Sequence, residues 1–183
     1  MKIYCTFVVR IIKEDMLYAV QYVNKETDCF QECFDKWNDI VYLEEFFENN
    51  KSDLSMKIED AICKTLYEAA QLENKILDCI SGLSNQTLDN YIFLPLHKND
   101  DYDIPLLQSK AYGKHKGKSF LRLYAIRLKD GCYLITGGAL KLTATMQERQ
   151  HTQEELEKLK QISNILRKKD IFDSFDIGIL IPE

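Results

Sequence analysis

Lys110, Lys114, Lys116 and Lys118 fall within nine residues, next to His115 and ahead of Arg122, Arg127 and Lys129. Cations at this density suit a polyanion, because lysine offers a mobile point charge and arginine a planar fork that pairs two phosphate oxygens at once. His115, set among lysines, is disfavoured from protonating and is therefore able to act as base or acid near neutral pH. Gly113-Lys114-His115-Lys116-Gly117-Lys118-Ser119 ends like a phosphate loop, but three residues rather than four separate its glycines. A strand pattern rather than a helix follows it, so no helix N-terminus would aim amides at a nucleotide phosphate. A basic loop gripping a nucleic-acid backbone fits better.

Other chemistries find less support. The histidines His97, His115 and His151 are too dispersed to argue a Ser-His-Asp or Cys-His arrangement, and His151 sits just before a helix start. Cys5, Cys29, Cys33, Cys63, Cys79 and Cys132 are scattered through apolar stretches with no Cys-x-x-Cys pair. They read as free thiols packed as small hydrophobes. Cys29 and Cys33 share a helix face at i, i+4, yet no neighbouring histidine completes a metal set. Asp100-Asp101-x-Asp103 lacks the glycine and distal glutamate of a calcium loop. No metal or cofactor is expected.

The elements that must carry these residues follow from the hydrophobic pattern. Of 183 residues, 45% are hydrophobic and 29% charged, with seven Gly and three Pro, which is the composition of a folded chain. No run approaches a membrane span. Residues 1–13 lack the features of a secretory signal, so the expectation is a cytoplasmic protein with no membrane partner. The net charge of −5 conceals a division. Residues 1–105 carry 10 Lys and Arg against 20 Asp and Glu, residues 106–170 carry 14 against 6, and residues 171–183 carry 0 against 3. Such asymmetry points to a polyanion-binding part, or to an acidic and a basic face of one fold that neutralise each other. The chain divides accordingly into an acidic portion, 1–105, and a basic portion, 106–183, joined in one compact domain.

Residues 2–12 and 16–23 are rich in β-branched and aromatic residues and flank Lys13-Glu14-Asp15, which predicts a hairpin. From an N-cap at Asp28, helical spacing runs to Asn49-Asn50 as one long helix or two abutting ones. Residues 55–81 predict a second amphipathic helix with Ser55 as cap and Gly82 as stop. Residues 83–105 read as a connector with a short helix near Leu88 to Phe93. Residues 119–128 alternate as a strand, Lys129-Asp130-Gly131 turns, and Cys132–Thr136 return, with a break or bulge at Gly137-Gly138 before 139–143 continue extended. Residues 152–169 predict a last helix, with Thr152 and Glu155 as a capping box. The class is α+β with an antiparallel sheet: an N-terminal hairpin, two long amphipathic helices, a C-terminal strand set and a final helix.

The stretch from Ser119 to Leu159 resembles the C-terminal half of bacterial RelE/HigB-type toxins of toxin–antitoxin systems. Arg122 matches an early strand arginine, Gly138 and Lys141 match the glycine and first lysine of a histidine-glycine-aromatic-apolar-lysine-lysine-threonine segment, Thr143 its threonine, and Thr152 approximately the helix start. Gly137, Ala139 and Leu142 depart from that pattern, standing where a histidine, an aromatic and the second lysine are common. The family's strand-helix-helix-strand-strand-strand-helix order suits the chain. The resemblance implies metal-independent cleavage of messenger RNA, often on the ribosome, by attack of a ribose 2′-hydroxyl on the adjacent phosphate. It further implies a small helix-turn-helix antitoxin as partner. For that chemistry Arg122 and Lys141 are the candidate cations, His115 and His151 the candidate proton-transfer groups, and Lys114, Lys116, Lys118, Tyr124 and Arg127 the RNA-binding set. Strand alternation puts Arg127 on the opposite face from Arg122 and Tyr124. The alternative is a non-catalytic protein-interaction or RNA-binding module, in which Arg122 pairs with a carboxylate of the acidic helices.

Overall fold

A computed structural model describes residues 6–113, 119–142 and 150–183. The N-terminal hairpin consists of β1 (Phe7–Lys13) and β2 (Leu17–Tyr22), closed by a turn in which Asp15 adopts φ +55°. The helical run that follows is split in two. Helix α1 (Cys29–Trp37) starts at Asp28, whose carboxylate accepts from the Phe30 and Gln31 amides. Helix α2 (Ile40–Asn49) starts afresh at Asp39, which accepts from Val41 and Tyr42. Two carboxylate caps eleven residues apart in one apolar run thus make two short helices instead of one.

Helix α3 (Ile58–Ser81) begins later than the sequence pattern suggests. Lys57 occupies the cap position without a side-chain bond, so Ser55 is not the cap, while Gly82 ends the helix at φ +76° as expected. The connector contains a single π-helical turn at Leu88–Ile92, opened by a Thr87–Asn90 capping box, and then a short strand β3 (Phe93–Pro95). Strand β4 (Leu107–Tyr112) lies in a stretch the sequence pattern left unassigned, between the connector and the basic loop. Its buried Leu107, Ser109 and Ala111 alternate with half-buried Gln108, Lys110 and Tyr112, and small polar Ser109 and Lys110 hide that period in the sequence. Strands β5 (Leu121–Arg127) and β6 (Tyr133–Leu140) form the expected hairpin across Gly131, at φ +87°. Helix α4 (Gln150–Lys168) contains Thr152 and Glu155 within its first turns, so they are not a capping box. A short α5 (Ser174–Ile177) follows.

The class is α+β, with a mixed sheet in the order β1-β2-β6-β5-β4-β3. Neighbouring strands run antiparallel except β2 and β6, which run parallel over Leu17–Ala19 and Tyr133–Ile135. Three strands come from residues before 105 and three from residues after it. Among the described residues no helix is long and apolar enough to cross a membrane.

Helices α1 and α3 pack on one face of the sheet and α4 on the other. Adjacent strand residues point to opposite faces, and Gly137-Gly138 places one glycine under each layer. A Cβ on Gly138 would come within 2.8 Å of the Arg122 carbonyl oxygen and 2.9 Å of both Cys33 Sγ and Trp37 Cζ2. On the other side, at φ +154°, a Cβ on Gly137 would overlap the Glu155 carboxylate of α4. The register shift between β5 and β6 falls here as well: Tyr124 faces Gly137 and Ala125 faces Ile135, leaving Thr136 as a bulge. Gly138→Ala is therefore expected to lower unfolding free energy by about 1–3 kcal/mol through overpacking, read as a lower urea midpoint at unchanged slope.

Candidate functional site

Arg122 and Tyr124 lie on the α4 side of β5, opposite Tyr112 and Lys110 of β4. The Arg122 guanidinium stacks on the Tyr112 ring at 4.2 Å and is 7% exposed. Its Nη1 donates to the carbonyls of Ser119 and Leu121, each at 2.7 Å. Among the described residues no carboxylate pairs with it, and its hydrogen bonds use Nη1 alone. Burial lowers its pKa, against the pull of Tyr112, Tyr124 and Glu68. Lys110 Nζ lies 6.0 Å from the same Tyr112 ring and donates to the Leu96 carbonyl at 2.8 Å. The Tyr124 hydroxyl is fully buried with no hydrogen-bond partner among the described residues, and burial pushes its pKa up. The Tyr124 hydroxyl and the Arg122 Nε and Nη2 are thus polar groups on one strand face that the described residues leave without hydrogen bonds.

Arg127 faces the other way and is spent on the fold. Its Nε and Nη2 clamp the Asp89 carboxylate at 2.7 and 2.9 Å, and the Tyr133 hydroxyl donates to the same carboxylate at 2.6 Å. The carboxylate pairing weighed for Arg122 is thus made by Arg127, with the π-helical turn of the acidic portion. His151 donates from Nε2 to the Leu140 carbonyl at 2.8 Å and meets the Phe46 ring edge-on at 5.4 Å. Lys141 follows the end of β6, its amide bonded to the Phe120 carbonyl at 2.7 Å. Lys114, His115, Lys116, Lys118 and Thr143 lie outside the described residues. The residues flanking that basic segment are joined, since the Gly113 amide donates to Ser119 Oγ at 2.9 Å.

A second feature borders this face. Among the described residues the β2 side of β6 has no strand partner beyond Ile135. Side chains serve its carbonyls instead, Cys29 Sγ at Ile135, Tyr22 Oη at Thr136 and His151 at Leu140. A cleft of about 240 Å³ opens along this edge, lined by Lys36, Tyr42, His151, Glu155 and Lys158. Burial raises the Glu155 pKa, opposed by Lys158, whose Nζ lies 2.6 Å away. Sequence reasoning assigned Glu155 to a cap. It also missed Asp89, Glu68 and Ser119, because their partners are distant in the chain.

Comparison with protein-family models, with curated proteins and with solved structures returns no match.

Burial works to raise the Asp89 carboxyl, but hydrogen bonds from Arg127 and Tyr133 outweigh it and hold it below the usual range. A lowered carboxyl adds stability that is complete above its unfolded value and lost as pH falls through the folded one. Asp89→Asn is expected to cost about 1 kcal/mol near pH 7, a small figure because the carboxylate is partly open to solvent. The gap from wild type should narrow below about pH 4, as followed by thermal unfolding across a pH series.

Proposed function

We propose that the chain is an endoribonuclease toxin of RelE/HigB type that cleaves messenger RNA, free or on the ribosome, by 2′-hydroxyl attack on the adjacent phosphate. The observation that carries the reading is Arg122: a guanidinium fixed through Nη1 and stacked on Tyr112, with Nε and Nη2 not engaged by the described residues. Those two nitrogens form the edge that pairs a phosphate bidentately. In a largely buried setting such donors stabilise charge building on phosphate oxygens more strongly than in water. With α2 and β3 set aside, the order from β2 through α1, α3, β4, β5 and β6 to α4 matches the strand-helix-helix-strand-strand-strand-helix order of that family.

In this reading Arg122 and Lys141 are the cations of the transition state, whereas Tyr124, expected from the sequence to contact the nucleotide, is fully buried in the fold. Lys114, Lys116 and Lys118 hold the RNA backbone. Proton transfer falls to His115, because Nε2 of His151 is occupied by the Leu140 carbonyl. The non-catalytic alternative draws on a separate observation, that Arg127 and His151 both spend their polar atoms inside the fold. A small helix-turn-helix antitoxin is the partner this reading calls for.

The test is induced expression in a bacterium with mapping of messenger RNA 5′ ends. Wild type should arrest growth and create new ends, whereas Arg122→Ala and Lys141→Ala should each slow cleavage by about 10²–10³-fold. Normal growth with no new ends in any culture would favour the interaction module. A nuclease reading also predicts that RNA affinity falls as salt rises, with a shallower slope once Lys141 is removed. Filter binding across a salt series measures it.

A further inference from the structure

Helix α3 belongs to the acidic portion, yet it reaches the candidate site through one buried carboxylate. Glu68 is 2% exposed and accepts from Ser119 Oγ at 2.6 Å and from Lys64 Nζ at 2.8 Å. Lys64 Nζ in turn lies 4.0 Å over the Phe120 ring. Ser119 is 3% exposed, and its hydroxyl, which can donate one bond and accept two, does all three. It donates to Glu68 and accepts the amides of Gly113 at 2.9 Å and Leu121 at 3.1 Å. The approach is close enough to demand glycine at 113, where a Cβ would lie 2.7 Å from Ser119 Oγ and 2.8 Å from Glu68 Cβ.

The consequence falls on Arg122. Both oxygens that receive its Nη1, the carbonyls of Ser119 and Leu121, belong to the short backbone stretch that the Ser119 hydroxyl immobilises. A buried carboxylate is costly unless its hydrogen bonds are complete. An apolar residue could have filled the same volume under the sheet. What the carboxylate adds is direction: it orients one hydroxyl, which fixes two carbonyls, which aim one guanidinium.

We propose that Glu68 and Ser119 are positioning residues for Arg122, holding its Nε–Nη2 edge toward a phosphodiester. The positioning is a property of the fold, and its catalytic consequence rests on the nuclease reading above, so the experiment reads the two separately. In full-length protein labelled with ¹⁵N-arginine, the Arg122 signals are assigned by their loss in Arg122→Lys. Hydrogen exchange at Nη and rotation about Nε–Cζ are then measured. Ser119→Ala is expected to speed both at Arg122 by at least about tenfold, while Arg127, clamped by Asp89, stays unchanged as an internal control. Glu68→Gln preserves volume and should move the same signals in the same direction by less, which keeps the question decidable should Ser119→Ala fail to fold.

Unchanged Arg122 dynamics in the folded variants overturns the positioning role, whatever the activity. In parallel, steady-state cleavage of messenger RNA, free and on ribosomes, should show a lower kcat with little change in KM for Ser119→Ala. Wild type that cleaves no RNA, combined with loosened Arg122 in Ser119→Ala, sinks the nuclease reading and leaves the positioning intact. Cleavage lost in Arg122→Ala but kept at the wild-type rate in Ser119→Ala and Glu68→Gln sinks the positioning alone.

Discussion

Strand β6 is packed from both sides at one point, and that double contact organises the molecule. Gly138 lets Trp37 and Cys33 of α1 approach one face, and Gly137 lets the Glu155 carboxylate of α4 approach the other. Neither layer would sit at that distance over an ordinary side chain. The bulge at Thr136 lies beside this pair and sets the register that carries Tyr124 opposite Gly137 and Arg122 opposite Ala139. The approach of both helices and the strand register that sets the face of Arg122 therefore meet at two adjacent positions without side chains.

The unequal charge of the two portions also takes on meaning in three dimensions. The acidic portion does not simply offset the basic one across a surface. It contributes individual carboxylates to specific jobs in the basic sheet, Asp89 clamping Arg127 and Glu68 holding Ser119. Each carboxylate is satisfied by two groups, a cation and a hydroxyl, which is how a charge is kept inside a fold. Arg122, by contrast, is held among the described residues by neutral carbonyls and a ring.

Much of this was legible in the chain. β-branched and aromatic composition gave the hairpin, alternation gave β5, and helical spacing from Asp28 gave the first helical run, while its division at Asp39 was seen only in the structure. Gly82 and Gly131 marked a stop and a turn because both need positive φ. The missed elements share a cause. Strand β4 uses small and polar residues on its buried face, Ser109 and Ala111, so period two was invisible in the chain. The caps at Ser55 and Thr152 were read from local chemistry, but α3 begins at Ile58 and Thr152 lies inside α4. Within the candidate site, Arg122 and its face could be inferred from alternation. Glu68, 51 residues from Ser119, could not, since no local pattern records a contact across that distance.

The parallel pairing of β2 with β6 bears on how the molecule comes into being. The hairpin of β1 and β2 closes locally, but the partner of its inner edge lies far along the chain; 114 residues separate Tyr22 from the Thr136 carbonyl it meets. Pairing over such spans is slow to form, because loop-closure entropy must be met before any contact rewards it. During synthesis the apolar edge of β2 therefore waits open until β6 has left the ribosome, the period when an unpaired strand most invites a foreign one. The sheet bearing Arg122 is complete only once the chain through Leu140 has emerged, so a chain terminated before that point carries the aggregation hazard without the assembled cation face.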